Sequence, residues 1–126
     1  MIIGTGLDAV EVQRIARSIE RYGDRFLYRI YTDYEIAYCR RRARGGAESF
    51  AARFAAKEAG AKALGTGISR GVTWNEIHVR REPGGRPTLH LEGRAAALAR
   101  QMGVTAISLS LTHTADLAMA SVVMEG

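Results

Sequence analysis

Glu58 lies between the only two lysines of the chain, Lys57 and Lys62, with Arg53 just before them. On a helix, Phe54, Glu58 and Lys62 form one i, i+4 row, and Arg53 and Lys57 form the adjacent one. The other sixteen cations are arginines, so the paired lysines point to a place that wants a compact ammonium. Spacing alone leaves two readings open. One is a solvated Glu58–Lys62 ion pair in the favourable orientation, worth about 0.3–0.5 kcal/mol. The other is a phosphate and magnesium site, a carboxylate flanked by three cations on an alanine-rich segment that lets other backbone approach. Magnesium takes one or two protein carboxylates and completes its octahedron with water and substrate phosphate oxygens. Asp8 with Glu58 would supply that number, although Asp8 has an alternative use as the cap of the helix that follows it.

Other chemistries find less support. There is no GxxxxGK[ST] loop, and Gly4 and Gly6 are too irregular for a dinucleotide fingerprint. Cys39 beside Arg40, Arg41 and Arg42 lacks a neighbouring histidine to activate it. As a single cysteine it forms no internal disulfide or cysteine zinc site, which suits a reducing cytosol. His78 and His90 fall on the polar alternation of strands and are expected to be solvated. His113, between Thr112 and Thr114 in a turn joining two apolar strands, offers a ring N–H and hydroxyls to a phosphate.

The elements that must position these groups follow from periodicity. Met1 to Val10 reads as a strand running into a turn, and residues 11 to 22 as an amphipathic helix with Val12, Ile15, Ile19 and Tyr22 on one face. That leaves Arg14, Arg17 and Arg21 together on the other face. Thr32-Asp33-Tyr34-Glu35 has the form of a capping box, opening a helix over about 33–42. The strongest helix signal runs from Glu48 to Leu64, closed by Gly65-Thr66-Gly67. Past residue 70 the period becomes two. Residues 77–80 and 88–91 alternate around Pro83-Gly84-Gly85-Arg86-Pro87, as in a β-hairpin. A helix over 92–102 is followed by two strands, Val104 to Thr112 and Leu117 to Met124. The expectation is one α+β domain over 1–126, an antiparallel sheet packed against a long Ala-rich helix.

With 126 residues, a net charge of +5 and 47 % hydrophobic residues, the composition is that of one globular domain. The charge is uneven, with 13 Lys and Arg against 8 Asp and Glu in residues 1–70 and 5 against 5 thereafter. Such a field favours an acidic partner: nucleic acid, a phosphorylated small molecule or an acidic protein. With no basic leader and no apolar run of 18 residues, neither export nor a membrane span is expected.

The segments GTGLDAVEVQRI (4–15), RFAAKEAGAKALGTGI (53–68), EIHVRREPGGRPTLHL (76–91) and SLSLTHTADLAMASVV (108–123) together resemble holo-[acyl-carrier-protein] synthase, the small bacterial class of 4′-phosphopantetheinyl transferases. The resemblance implies that fold and a transfer of 4′-phosphopantetheine from coenzyme A to a serine of apo acyl carrier protein. It implies a cytoplasmic homotrimer with active sites between protomers. Asp8 and Glu58 match the family's metal-binding carboxylates for Mg2+, and Lys62 its phosphate-contacting lysine. Glu58, directly or through a bound water, would take the serine proton. Arg53, His113 and Thr114 match contacts to the 3′-phosphate of coenzyme A, Gly85-Arg86-Pro87 resembles the segment beside the adenine, and Gly65 lies in the matching Gly-Thr-Gly run. Arg14, Arg17 and Arg21 would dock the carrier protein, and Arg44 is the candidate for a further phosphate contact. Ala9 and Leu111-Thr112-His113 depart conservatively from the family's large aliphatic and Ile-Ser-His. The alternative is a basic nucleic-acid-binding module that uses Arg14 to Arg44 with Tyr22, Tyr28, Tyr31, Tyr34 and Tyr38.

Overall fold

Small side chains decide how closely a helix can lie on a sheet. The computed structural model, which describes residues 1–42 and 46–126, has such a crossing at its centre. Strand β1 (Ile2–Glu11) turns Gly4, Gly6, Asp8 and Val10 inward, toward the helix α4 (Gly46–Leu64). A Cβ on Gly4 or Gly6 would collide with the carbonyl oxygen of Ala63 or Ala59, respectively. Two strand residues advance about 6.8 Å and one helical turn about 5.4 Å, so helix and strand stay nearly in step. Gly4 lies against Ala63 and Gly6 against Ala59, and Asp8 comes next on the strand, level with the turn that carries Glu58.

From β1 the chain enters α1 (Val12–Tyr22), α2 (Asp24–Ile30) and α3 (Asp33–Arg40), then α4. A 3₁₀ turn (Trp74–Glu76) leads into β2 (Ile77–Arg81), β3 (Pro87–Leu91), α5 (Gly93–Met102), β4 (Ala106–His113) and β5 (Leu117–Glu125). β5 lies between β1 and β4 in a three-stranded antiparallel sheet, while β2 and β3 form a separate two-stranded one. Ala120 is opposite both Asp8 and Leu111, and Ala118 opposite both Val10 and His113. The alternation of β5 sends Ala118, Ala120, Val122 and Met124 into the core beneath α4. α4 itself is buried on nearly every side by the sheet, α1, α3 and the hairpin.

The α+β class is as expected, with two antiparallel sheets in place of one. The Thr32 capping box is present, Thr32 Oγ1 accepting from Glu35 N and Glu35 Oε1 from Thr32 N. Other expectations need correction. Asp8 caps nothing: the strand continues to Glu11, which occupies the cap position without a side-chain bond. Residues 24–30 form a helix that the aromatic and arginine-rich composition obscured, although Leu27 and Ile30 at helical spacing bury its inner face. His78 is not solvated but 4 % exposed, because β2 is buried at three consecutive positions, 77–79. Its ring stacks on that of His90 across the hairpin, and burial holds its pKa below the usual histidine range.

The crossing makes a direct prediction. In Gly6→Ala the added methyl meets a backbone carbonyl that cannot rotate away, so α4 must lift from β1. Urea denaturation should show a loss of about 3 kcal/mol, the upper end of ordinary overpacking.

Candidate active site

Beyond the glycines, the next inward side chain of β1 is the first with a functional group. Lys62 Nζ reaches back from α4 to donate to Leu7 O at 3.0 Å and to Asp8 Oδ1 at 3.1 Å. The Asp8 side chain is 17 % exposed and that of Lys62 50 % exposed, so this ion pair sits at the mouth of the crossing. Glu58 lies one turn before Lys62 on the same row. Its carboxyl is pushed above the usual range, first by burial and then by the negative charge of Asp8, while Lys62 and Arg14 pull it down. A second carboxylate that raises the cost of ionising Glu58, with both groups in solvent reach, makes a donor set suited to a hard divalent cation. Arg14 completes the cluster, its guanidinium 5.8 Å from the centre of the Phe54 ring. That ring also packs on Trp74, centroid to centroid 4.8 Å.

The row of Phe54, Glu58 and Lys62 expected from helical spacing is present and faces Asp8, with pairings that differ from those expected. Lys62 pairs with Asp8 rather than Glu58. Lys57 does not flank Glu58 in the site at all: it is fully buried and bonded to Glu35, about a quarter-turn of helix away.

The remaining expected residues lie elsewhere. His113 ends β4 with Nδ1 3.2 Å from Glu48 Oε2 in the first turn of α4. Thr114 Oγ1 accepts from Asp116 N and Leu117 N, closing the turn into β5. Arg53 is 3 % exposed. Its guanidinium lies 4.2 Å from the centre of the Tyr38 ring and Nη1 donates to Ser49 O, but Nε has no partner among the described residues. Arg42 and Arg81 approach the same ring at 5.6 and 5.7 Å. Gly65, at φ +84°, ends α4 in the left-handed turn that only glycine adopts freely. Arg86 and Pro87 line a crevice of about 190 Å³ against Ile107, Ser108 and Leu109. Arg14, Arg17 and Arg21 line an open groove of about 620 Å³ with Ser18, Glu20 and Tyr22. Arg44 lies outside the described residues. Of the five tyrosines that a nucleic acid would use, Tyr31 is buried with its OH donating to Phe50 O, Tyr34 and Tyr38 carry Arg80 and Arg53, and Tyr22 and Tyr28 are exposed.

Residues 4–120 match the 4′-phosphopantetheinyl transferase superfamily. The holo-[acyl-carrier-protein] synthases of Koribacter versatilis and Solibacter usitatus are each 58 % identical over 125 residues, 99 % of this chain and 99 % of theirs. The crystal structure of holo-[acyl-carrier-protein] synthase from Neisseria meningitidis superposes with TM-score 0.88 at 36 % identity, covering all of both chains. That of the Helicobacter pylori enzyme in complex with coenzyme A gives 0.84 at 30 %, covering 96 % of this chain and 99 % of that one. The chain belongs to the holo-[acyl-carrier-protein] synthase family of that superfamily.

The electrostatics of the cluster can be read by NMR on protein free of divalent cations. Glu58 should titrate above the ordinary 4.5. Removing the negative neighbour in Asp8→Asn should move the midpoint down, and removing a positive one in Arg14→Ala should move it up. Opposite or absent shifts would separate the three groups.

Proposed function

We propose that the chain transfers 4′-phosphopantetheine from coenzyme A to the serine hydroxyl of apo acyl carrier protein. The serine oxygen forms a bond to the β-phosphorus, the pyrophosphate bridge breaks, and adenosine 3′,5′-bisphosphate leaves with the bridging oxygen. The observation that carries this reading is the Asp8, Glu58, Lys62 and Arg14 cluster, in a chain whose relatives bear the name of that activity. Phosphoryl transfer needs mainly positioning and charge neutralisation. Asp8 and Glu58 would hold Mg2+, which when bound supplies positive charge to the pyrophosphate oxygens. Glu58, directly or through a bound water, accepts the serine proton. Lys62, already oriented by Leu7 O and Asp8, stabilises charge that grows on the leaving phosphate.

Substrate recognition divides among the other groups. Arg53 Nε, buried without a partner, suits an anion such as the 3′-phosphate of coenzyme A, with His113 and Thr114 as further contacts. The family resemblance supports a site between protomers, in which Arg53 of one chain and His113 of another would face one phosphate. The outer face of the three-stranded sheet favours such an assembly. Leu7 is 61 % exposed there, and its surroundings are Ala9, Met119, Val123 and the hydroxyls of Ser108, Ser110, Thr112 and Ser121, without charge. We read this face as the contact of a homotrimer. Arg14 both lines the α1 groove and stands over Phe54, so an acidic carrier protein held by Arg14, Arg17 and Arg21 delivers its serine toward Glu58. The buried free thiol of Cys39 fits a cytoplasmic setting, and the reaction fits a role in fatty acid biosynthesis.

Incubation with coenzyme A, magnesium and apo acyl carrier protein should add one phosphopantetheine, seen by intact mass, and EDTA should abolish it. In the same assay Arg14→Glu should raise the KM for carrier protein, and added salt should narrow the gap from wild type. No mass addition by the wild-type protein, or undiminished addition in EDTA, would contradict the proposal.

A further inference from the structure

α4 is buried around almost its whole circumference, and seven of its fourteen buried residues are alanines: Ala51, Ala52, Ala55, Ala56, Ala59, Ala61 and Ala63. Such small side chains interlock weakly, so packing alone holds the rotation of the helix about its own axis loosely. The active site nevertheless depends on that rotation, because Glu58 must face Asp8.

One polar anchor removes the freedom. Lys57 Nζ donates to Glu35 Oε1 at 2.7 Å, to Ile77 O at 2.8 Å and to Trp74 O at 3.3 Å, using all three of its protons. Glu35 in turn accepts from Thr32 N on Oε1 and from Val79 N on Oε2. Both side chains have no exposed surface. The pair thus joins the start of α3, the middle of α4 and the first strand of the hairpin. It also holds the backbone of Trp74, whose ring supports Phe54 beneath Arg14. A buried ion pair of this kind adds little to stability over an apolar replacement of similar volume; its best-attested use is to select one arrangement.

We propose that Glu35 and Lys57 are positioning residues of the transferase, fixing the rotation of α4 that aims Glu58 at Asp8. This rests on the reading of Asp8 and Glu58 as metal-holding groups. The anchor acts through the peptide bond that joins Lys57 to Glu58, and it touches neither substrate nor metal.

The test is the double variant Glu35→Gln/Lys57→Met, which removes both charges together, because either charge left alone in the core would threaten folding. It should fold, with circular dichroism like the wild type. Its half-saturating magnesium concentration should rise and its kcat should fall by about tenfold or more, as when a supporting group behind a metal ligand is lost. KM for coenzyme A should change by less than about threefold. Emission of Trp74, the only tryptophan, should shift as its support moves. A folded double variant with wild-type magnesium dependence and kcat would overturn the proposal. So would a double variant that does not fold, since the pair would then hold the fold rather than the site. Asp8→Asn, measured in parallel, separates the two layers. If it loses activity while the double variant keeps it, the positioning role is wrong and the site stands. If Asp8→Asn keeps full activity, the site reading falls and takes this proposal with it.

Discussion

The contact on which the rest of the molecule depends is the crossing of α4 over β1, where Gly4 and Gly6 leave no Cβ between the strand and the carbonyls of Ala63 and Ala59. Alanines on the helix and glycines on the strand bring two backbones together with almost no side-chain surface. The stabilising force at that point is therefore dispersion and close packing rather than large apolar burial. The return is functional. Because the two backbones are close, an aspartate from the strand comes near enough to raise the cost of ionising a glutamate on the helix, and a lysine one turn on reaches the strand backbone. A crossing spaced by leucines at normal interaxial distance would separate these groups by several ångströms.

Closeness fixes the distance but not the rotation. The buried Glu35–Lys57 pair supplies the second coordinate from the opposite side of α4, and the aromatic layer of Trp74 and Phe54 carries the support across to Arg14. Charged groups thus occupy different environments. Glu35 and Lys57 in the core are paired and structural, whereas those at the crossing are balanced against one another, leaving charge available for a phosphorylated ligand.

Much of this was legible in the sequence because it depends on local periodicity. The long alanine helix, the Thr32 cap, the hairpin turn and the alternation of β5 are each written within a few residues. The Phe54, Glu58 and Lys62 row and its pairing with Asp8 followed from helical spacing together with a family resemblance whose motifs span the chain. What was not legible depended on what covers a strand or faces a helix from elsewhere. His78 alternates like a solvated residue, and only the packing of β2 against the rest of the fold buries it. Glu35 carries the signal of a capping box and nothing to say that it also holds an ammonium 22 residues on. Lys57 and Lys62 look alike in sequence, yet one points into the core and the other to the site, because the burial that separates them is set by the long-range crossing.

The central claim is that this crossing makes Asp8 and Glu58 one unit acting on one cation. A double-mutant cycle on magnesium-dependent transfer addresses it most directly, comparing wild type, Asp8→Asn, Glu58→Gln and the double variant at fixed magnesium. Groups that act as a unit are strongly non-additive, so the double variant should be no more than about threefold slower than the slower single variant. If the two losses instead multiply, each carboxylate acts alone, and the joint site built by the α4–β1 crossing is contradicted.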